Sequence, residues 1–111
     1  MISKAKRSKR YQKMSYLMEF KEEFHPKIKS DLKKIDKTVA NKIRTTHLNN
    51  ILKNPYKYDL LKGDLKNLYS YHFVENRVDY RIVYEIINNI VIFYYMIGKR
   101  ENFYKTTKRR I

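Results

Sequence analysis

The chain is predicted to fold as α+β, with two N-terminal helices on one face of a small antiparallel-rich sheet, in the order β-α-α-β-β-β, and a short C-terminal helix. Two changes along the sequence carry this prediction. In the first half of the 111 residues, apolar side chains recur every three to four positions; from Tyr69 onward the period falls to two. These are the periods of a helix face and of a strand face. The length sets the scale, because 111 residues leave little room for a second independent core.

Residues 16–20 alternate weakly between apolar and polar, which suits a first strand. After His25 and Pro26, residues Ile28, Leu32 and Ile35 follow at four- and three-residue spacing, and Pro26 fits the first turn of the helix they define. Residues 37–53 predict a second helix with Val39, Ala40, Ile43, His47 and Ile51 on one stripe and Leu48 and Leu52 beside it; Asn54 and Pro55 end it. A tight turn near Asp36 makes the pair an αα-hairpin. Residues 56–68 are a connection. Residues 69–74, 79–87 and 90–97 are rich in Tyr, Val, Ile and Phe and read as three consecutive strands. Asn88 and Asn89 tolerate the positive φ of a two-residue hairpin loop. Phe103, Thr107 and Ile111, four apart, predict a short amphipathic helix.

Charge narrows the class of partner. The chain carries 26 Lys and Arg against 11 Asp and Glu, a formal charge of +15, while 42% of residues are hydrophobic. Enough apolar surface exists to build a core, and the cationic excess calls for a polyanion, nucleic acid first. Six of the cations (Lys4, Lys6, Arg7, Lys9, Arg10 and Lys13) lie in residues 1–13, expected to form a disordered basic arm before a domain over residues 14–111. Without the arm the domain still holds +9. The chain has no cysteine, which removes disulfide scaffolds, Cys-based zinc sites and thiol nucleophiles. There is neither a run of 18 apolar residues nor a signal-peptide pattern, so the expectation is a soluble, cytoplasmic protein without a membrane partner.

Strand register then gathers the chemistry. If Ile87 pairs with Ile90, Arg81 lies opposite Met96; a loop near Asn76 and Arg77 puts His72 opposite Arg81. Gly98 falls one diagonal step from Arg81, leaving open space, with Arg100 just beyond and Tyr104 one helical turn later. His72, Arg81, Arg100 and Tyr104 are therefore the candidate catalytic residues. They suit RNA cleavage by the substrate's own 2′-hydroxyl. That reaction needs a proton acceptor, positive charge on the phosphorane oxygens and a proton for the departing 5′-oxygen. Arginine's planar fork matches phosphate. Tyr69, Tyr71, Tyr80 and Tyr84 fall on the opposite face, beneath the helices, and Glu85 is placed as an ion-pair partner of Arg81. A solvated basic surface would account for the same histidine and arginines without catalysis.

At Leu61-Lys62-Gly63-Asp64-Leu65, Tyr69-Ser70-Tyr71, Asp79-Tyr80-Arg81-Ile82-Val83-Tyr84-Glu85 and Ile97-Gly98-Lys99-Arg100-Glu101, the sequence resembles the RelE/ParE toxin superfamily, nearer its RelE branch. The resemblance implies a type II toxin acting as a ribosome-dependent, metal-independent endoribonuclease without a cofactor. It also implies a cognate acidic antitoxin, a heterotetramer with it, and the ribosome and mRNA as partners. Carried over by position, Arg81 and Arg100 match phosphate-stabilising arginines and Tyr104 a catalytic tyrosine. Lys62, Lys66, Ser70, Arg77 and Lys99 are the expected RNA-binding residues. Ser70 and His72 stand where RelE carries lysines, so His72 is expected to replace a lysine in proton transfer. A ParE-like inhibitor of DNA gyrase and a non-catalytic nucleic-acid-binding module are the alternatives.

Overall fold

The computed structural model describes residues 19–111. The basic arm over residues 1–13, the domain start at Met14 and most of the strand expected over residues 16–20 lie outside them. The first strand, β1, is Lys21–Phe24, just beyond the expected position. It is an edge strand with an acidic pair, of which Glu22 accepts a 2.6 Å hydrogen bond from the Tyr94 hydroxyl and so ties the strand to its neighbour.

The helical hairpin forms as its apolar spacing requires. Helix α1 is Ile28–Lys33. The Asp36 side chain then accepts from the Thr38 amide at 3.1 Å and starts α2, Lys37–Lys42. A π-type turn over Ile43–His47 and α3, Leu48–Lys53, continue it with helical backbone angles at each junction. The stripe Val39, Ala40, Ile43, His47 and Ile51 is buried throughout. His47 joins it as a polar member with every partner supplied. Asn50 donates to the Tyr71 hydroxyl at 2.9 Å, which leaves that hydroxyl's hydrogen for His47 Nδ1 at 2.8 Å. His47 Nε2 then donates to Glu75 at 3.0 Å. The network fastens the helix to the sheet and satisfies groups that would otherwise be costly to bury.

The connection contains two short elements the sequence did not predict: strand β2, Asp59–Leu60, and a 3₁₀ turn, Gly63–Leu65. Strands β3, Leu68–Glu75, β4, Val78–Ile87, and β5, Val91–Lys99, follow. The sheet order is β1-β5-β4-β3-β2, parallel between β1 and β5 and antiparallel elsewhere. Both Asn88 and Asn89 take positive φ, 53° and 59°, as the hairpin requires.

Register departs from expectation between β4 and β5. Ile90 stays in the turn, so Ile87 pairs with Val91, and a β-bulge leaves Tyr95 unpaired between Tyr84↔Tyr94 and Val83↔Met96. Each event shifts the register by one residue. Arg81 therefore lies directly opposite Gly98, not Met96. The β3–β4 register is as expected, with His72 opposite Arg81.

The sheet is covered on both faces. Tyr71, Phe73, Tyr80, Ile82, Tyr84, Ile92, Tyr94 and Ile97 face the helices and form the main core with Ile28, Val39, Ile43 and Ile51. The tyrosines assigned to this face do pack there. Burial pushes the phenols of Tyr84 and Tyr94 far above their ordinary value. Leu65, Leu68, Val83 and Met96 make a smaller cluster on the other face, capped by Phe103.

Helix α4, Phe103–Arg110, follows a 3₁₀ turn at Arg100–Asn102. Phe103 and Thr107 pack as the spacing predicted, whereas Ile111 lies past the helix end and is exposed. Beyond its pairing with β1, the β5 edge is closed by side chains. Asp31 accepts from the Ile97 amide at 3.0 Å, and Arg110 donates to the Tyr95 carbonyl at 2.9 Å. Arg110 and Asp31 are also joined by two bonds of 2.7 and 2.8 Å, with side chains 11% and 9% exposed. Removing one partner of so buried a pair strands the other charge, so Asp31→Ala and Arg110→Ala are each expected to cost about 3 kcal/mol in urea unfolding. The double variant is expected to cost clearly less than the sum. Additive losses would show that the two side chains do not act as a unit.

Candidate nucleic-acid interface

The face opposite the main helices carries the sequence-predicted residues Ser70, His72 and Arg81. Side chains alternate along a strand, so Ser70 and His72 from β3 share this face with Asp79 and Arg81 from β4. Ser70 is 1% exposed and accepts from Arg81 Nη1 at 3.2 Å. Its expected role in direct RNA contact is thereby corrected: buried beneath the arginine, it holds Arg81 in place. The arginine's carbon Cζ lies 4.9 Å from the centroid of the Phe103 ring, a cation–π contact, and its buried Nε has no hydrogen-bond partner among the described residues.

The expected ion pair between Arg81 and Glu85 does not form. Glu85 instead accepts a 2.8 Å hydrogen bond from Tyr95, the bulge residue, whose phenol is pushed up to about 12 by burial and by that carboxylate. Among the described residues Arg81 consequently contacts the Ser70 hydroxyl and the Phe103 ring but no carboxylate. The open space expected at Gly98 is also absent: a Cβ there would meet the Met96 methyl at 3.2 Å. Glycine instead permits close packing beside Arg81.

His72 is exposed and meets a carboxylate, with Nε2 3.1 Å from Asp79 Oδ1. Asp79 also lines a groove of about 510 Å³ with Arg77, Lys99, Arg100, Glu101 and Phe103. Arg77 takes positive φ, 66°, at the β3–β4 turn, and Arg100 begins the 3₁₀ turn after β5; both are exposed. The groove therefore gathers Arg100, Arg77 and Lys99 around Asp79, the partner of His72, while Phe103 links it to Arg81. Neither Asp79 nor Phe103 is among the sequence-predicted site residues. The register that opposes His72 and Arg81 places Asp79 on the same face, which was the available signal for it.

Tyr104 joins a different cluster. Its hydroxyl donates to Asp64 at 3.4 Å, and Lys108 lies 5.5 Å over its ring and 3.1 Å from Asp64. Lys62 and Lys66 flank the 3₁₀ turn that carries Asp64 and are exposed. Among the described residues, no group of three or more His, Asp and Glu is placed to share a metal ion.

The fold is thus a five-stranded α+β sheet with a C-terminal helix and a basic groove at the end of the sheet where β4 begins and β5 ends. The family model for ParE-like toxins of type II bacterial toxin-antitoxin systems matches residues 23–108. The chain belongs to this family, within the RelE/ParE superfamily. Among solved structures, a double arginine-to-alanine mutant of E. coli toxin RelE in the free state is similar at a TM-score of 0.65 and 23% identity, covering 85% of this chain and 100% of that one. The toxin-antitoxin complex RelBE2 of Mycobacterium tuberculosis matches at 0.61 and 15%, covering 75% and 100%. The intact E. coli RelBE complex matches at 0.59 and 21%, covering 72% and 95%. No curated protein matches the sequence.

The Asp64 cluster has a testable pH response. The hydrogen bond and charge of Lys108, then the Tyr104 hydroxyl, hold the Asp64 carboxyl below the usual carboxylate range. A lowered folded-state value stabilises the docked state above about pH 4, and that contribution fades as pH falls through the lowered value. Hydrogen exchange of the α4 amides, corrected for intrinsic rate, is expected to speed up below that range. In Asp64→Asn the acid-induced increase should vanish, with α4 already faster at neutral pH; an unchanged acid response would assign it to other groups.

Proposed function

We propose that this toxin is an endoribonuclease that cleaves mRNA in the ribosomal A site by attack of the ribose 2′-hydroxyl on its own phosphate. The observation that carries this reading is the direct opposition of His72 and Arg81, with Arg100, Arg77 and Lys99 around the adjoining groove. Arg81 is held by a hydroxyl and an aromatic ring rather than by a carboxylate, so its charge remains available to phosphorane oxygens.

In this mechanism His72 takes the 2′-hydroxyl proton as the O2′–P bond forms. Arg81 and Arg100 stabilise the charge gathering on the phosphate, and the P–O5′ bond breaks as the 5′-oxygen gains a proton. The products are a 2′,3′-cyclic phosphate and a 5′-hydroxyl end. The attacking oxygen belongs to the substrate and the compensating charge to arginine, so the scheme needs neither a metal ion nor a cofactor. Lys62 and Lys66 provide backbone contacts beside the site. An acidic antitoxin is the cellular partner in this reading. Two of the similar solved structures are toxin-antitoxin complexes, and a domain of charge +9 favours an anionic cover. The setting is the cytoplasm, where translating ribosomes are found.

The family model, named for ParE-like toxins, favours one second reading, inhibition of DNA gyrase. Primer-extension mapping on programmed ribosomes, run beside a supercoiling assay, separates them. The expected result is in-frame cleavage with gyrase unaffected, reduced about 100-fold or more by Arg81→Ala and about 100-fold by His72→Ala. His72→Ala activity within about threefold of wild type would remove the histidine from proton transfer. Intact mRNA with supercoiling blocked would establish the gyrase reading instead.

A further inference from the structure

We propose that Asp79 is a positioning residue that holds His72 by Nε2 and commits Nδ1 to proton transfer. The proposal rests on the ribonuclease reading above. Its basis is a diagonal across the β3–β4 pair: Val74 is opposite Asp79 and His72 opposite Arg81, so Asp79 and His72 sit one step apart on one face. The resulting contact, Nε2 to Oδ1, is 3.1 Å, and the side chains are 45% and 46% exposed.

Stability gives this pair little to do. Exposed ion pairs contribute about 0–1 kcal/mol and are screened by salt. Chemistry gives it more. An ionised carboxylate only accepts hydrogen bonds, so a neutral imidazole bonded to it by Nε2 carries its single proton there and keeps a lone pair on Nδ1. The same arrangement, a carboxylate behind the working histidine, fixes tautomer and ring orientation in hydrolytic triads.

The surrounding charge strengthens the case. The groove beside Asp79 is lined by Arg77, Lys99 and Arg100, and Arg81 faces His72 across the ladder. An imidazolium formed at His72 would face Arg81 across the ladder, with further cations around the groove that its partner Asp79 lines; among the described residues Asp79 is the anion in contact with it, while Glu101 is the other acid lining the groove. During the reaction the 2′-hydroxyl proton passes to Nδ1 as the O2′–P bond forms. The P–O5′ bonding pair leaves with the 5′-oxygen, which takes a proton from water. His72 later returns its proton to solvent, so protons and electrons balance.

The test is single-turnover cleavage of mRNA on programmed ribosomes by wild type, Asp79→Ala and Asp79→Glu, together with nitrogen-15 NMR of the His72 ring in the free toxin. Expected are a rate constant at least about tenfold lower for Asp79→Ala, half-saturation within about twofold of wild type, and partial recovery in Asp79→Glu. Wild-type spectra should show Nε2 protonated and Nδ1 bare, with the signature of a hydrogen-bonded Nε2 proton lost in Asp79→Ala. Wild-type cleavage with Asp79→Ala within about threefold would overturn the proposal alone, as would a change confined to half-saturation. A wild type that cuts no mRNA would overturn the ribonuclease reading and the catalytic part of the proposal with it; the NMR spectra then decide whether Asp79 anchors Nε2.

Discussion

A single carboxylate, Asp31, sets the position of the elements that frame the groove. It projects from α1 to the open edge of β5, where it accepts from the Ile97 amide and grips Arg110 at the far end of α4. The same guanidinium closes the Tyr95 carbonyl at the bulge. One buried ion pair thus replaces the strand neighbour that β1 is too short to supply, and it fixes the helix whose first residue, Phe103, lies against Arg81. A sheet edge left open would invite pairing with another chain. Closing it with a charge pair also ties the helical hairpin, the central sheet and the C-terminal helix to one another.

The bulge at Tyr95 is the second constraint. Along Val91–Tyr94 the observed register differs by one residue from a simple two-residue hairpin, and a one-residue slip exchanges the two faces of a strand. Ile92 and Tyr94 are thereby turned into the helix-side core, while Phe93 and Tyr95 face the other way. The extra residue at Tyr95 shifts the ladder once more, so Ile97 enters the main core and Gly98 lands opposite Arg81. Bulges are common beside functional sites because they re-aim side chains in this manner.

The elements with strong periodicity were legible in the sequence: the stripe from Val39 to Ile51, the tyrosine face of β3 and β4, and the Asn88-Asn89 turn each follow from local spacing. The opposition of His72 and Arg81 was legible too, because a loop centred on Asn76 and Arg77 gives that register whether or not Glu75 and Val78 pair. The rest depended on distance or on count. Asp31 and Arg110 are 79 residues apart, and nothing local marks either as a partner. The bulge adds one residue to a run of Tyr, Val, Ile and Met that reads equally well with or without it. Strand β2 is only two residues long, too short for any period. Ser70 looked like a surface residue because serine tolerates either environment, and only the packing around Arg81 decides for burial.

The way the site's side chains are held divides them by chemistry. Arg81 is positioned by the Ser70 hydroxyl and the Phe103 ring, neutral groups that fix geometry without cancelling charge. The His72 ring meets a carboxylate, Asp79, whereas Asp64 is shared between Lys108 and the Tyr104 hydroxyl. A cation meant for phosphate loses effect if an acid already neutralises it, whereas a proton-exchanging group gains orientation from an acceptor that cannot compete for the donor role. Glu85 illustrates the same logic by its absence from Arg81: it is occupied by Tyr95, one strand over, although it shares the arginine's face four residues along β4. Residues 14–111 carry a formal net charge of +9, so the few acids near this face are informative. Among the described residues a carboxylate meets His72 and none meets Arg81, which is the division of partners that the proposed roles in proton transfer and phosphate binding call for.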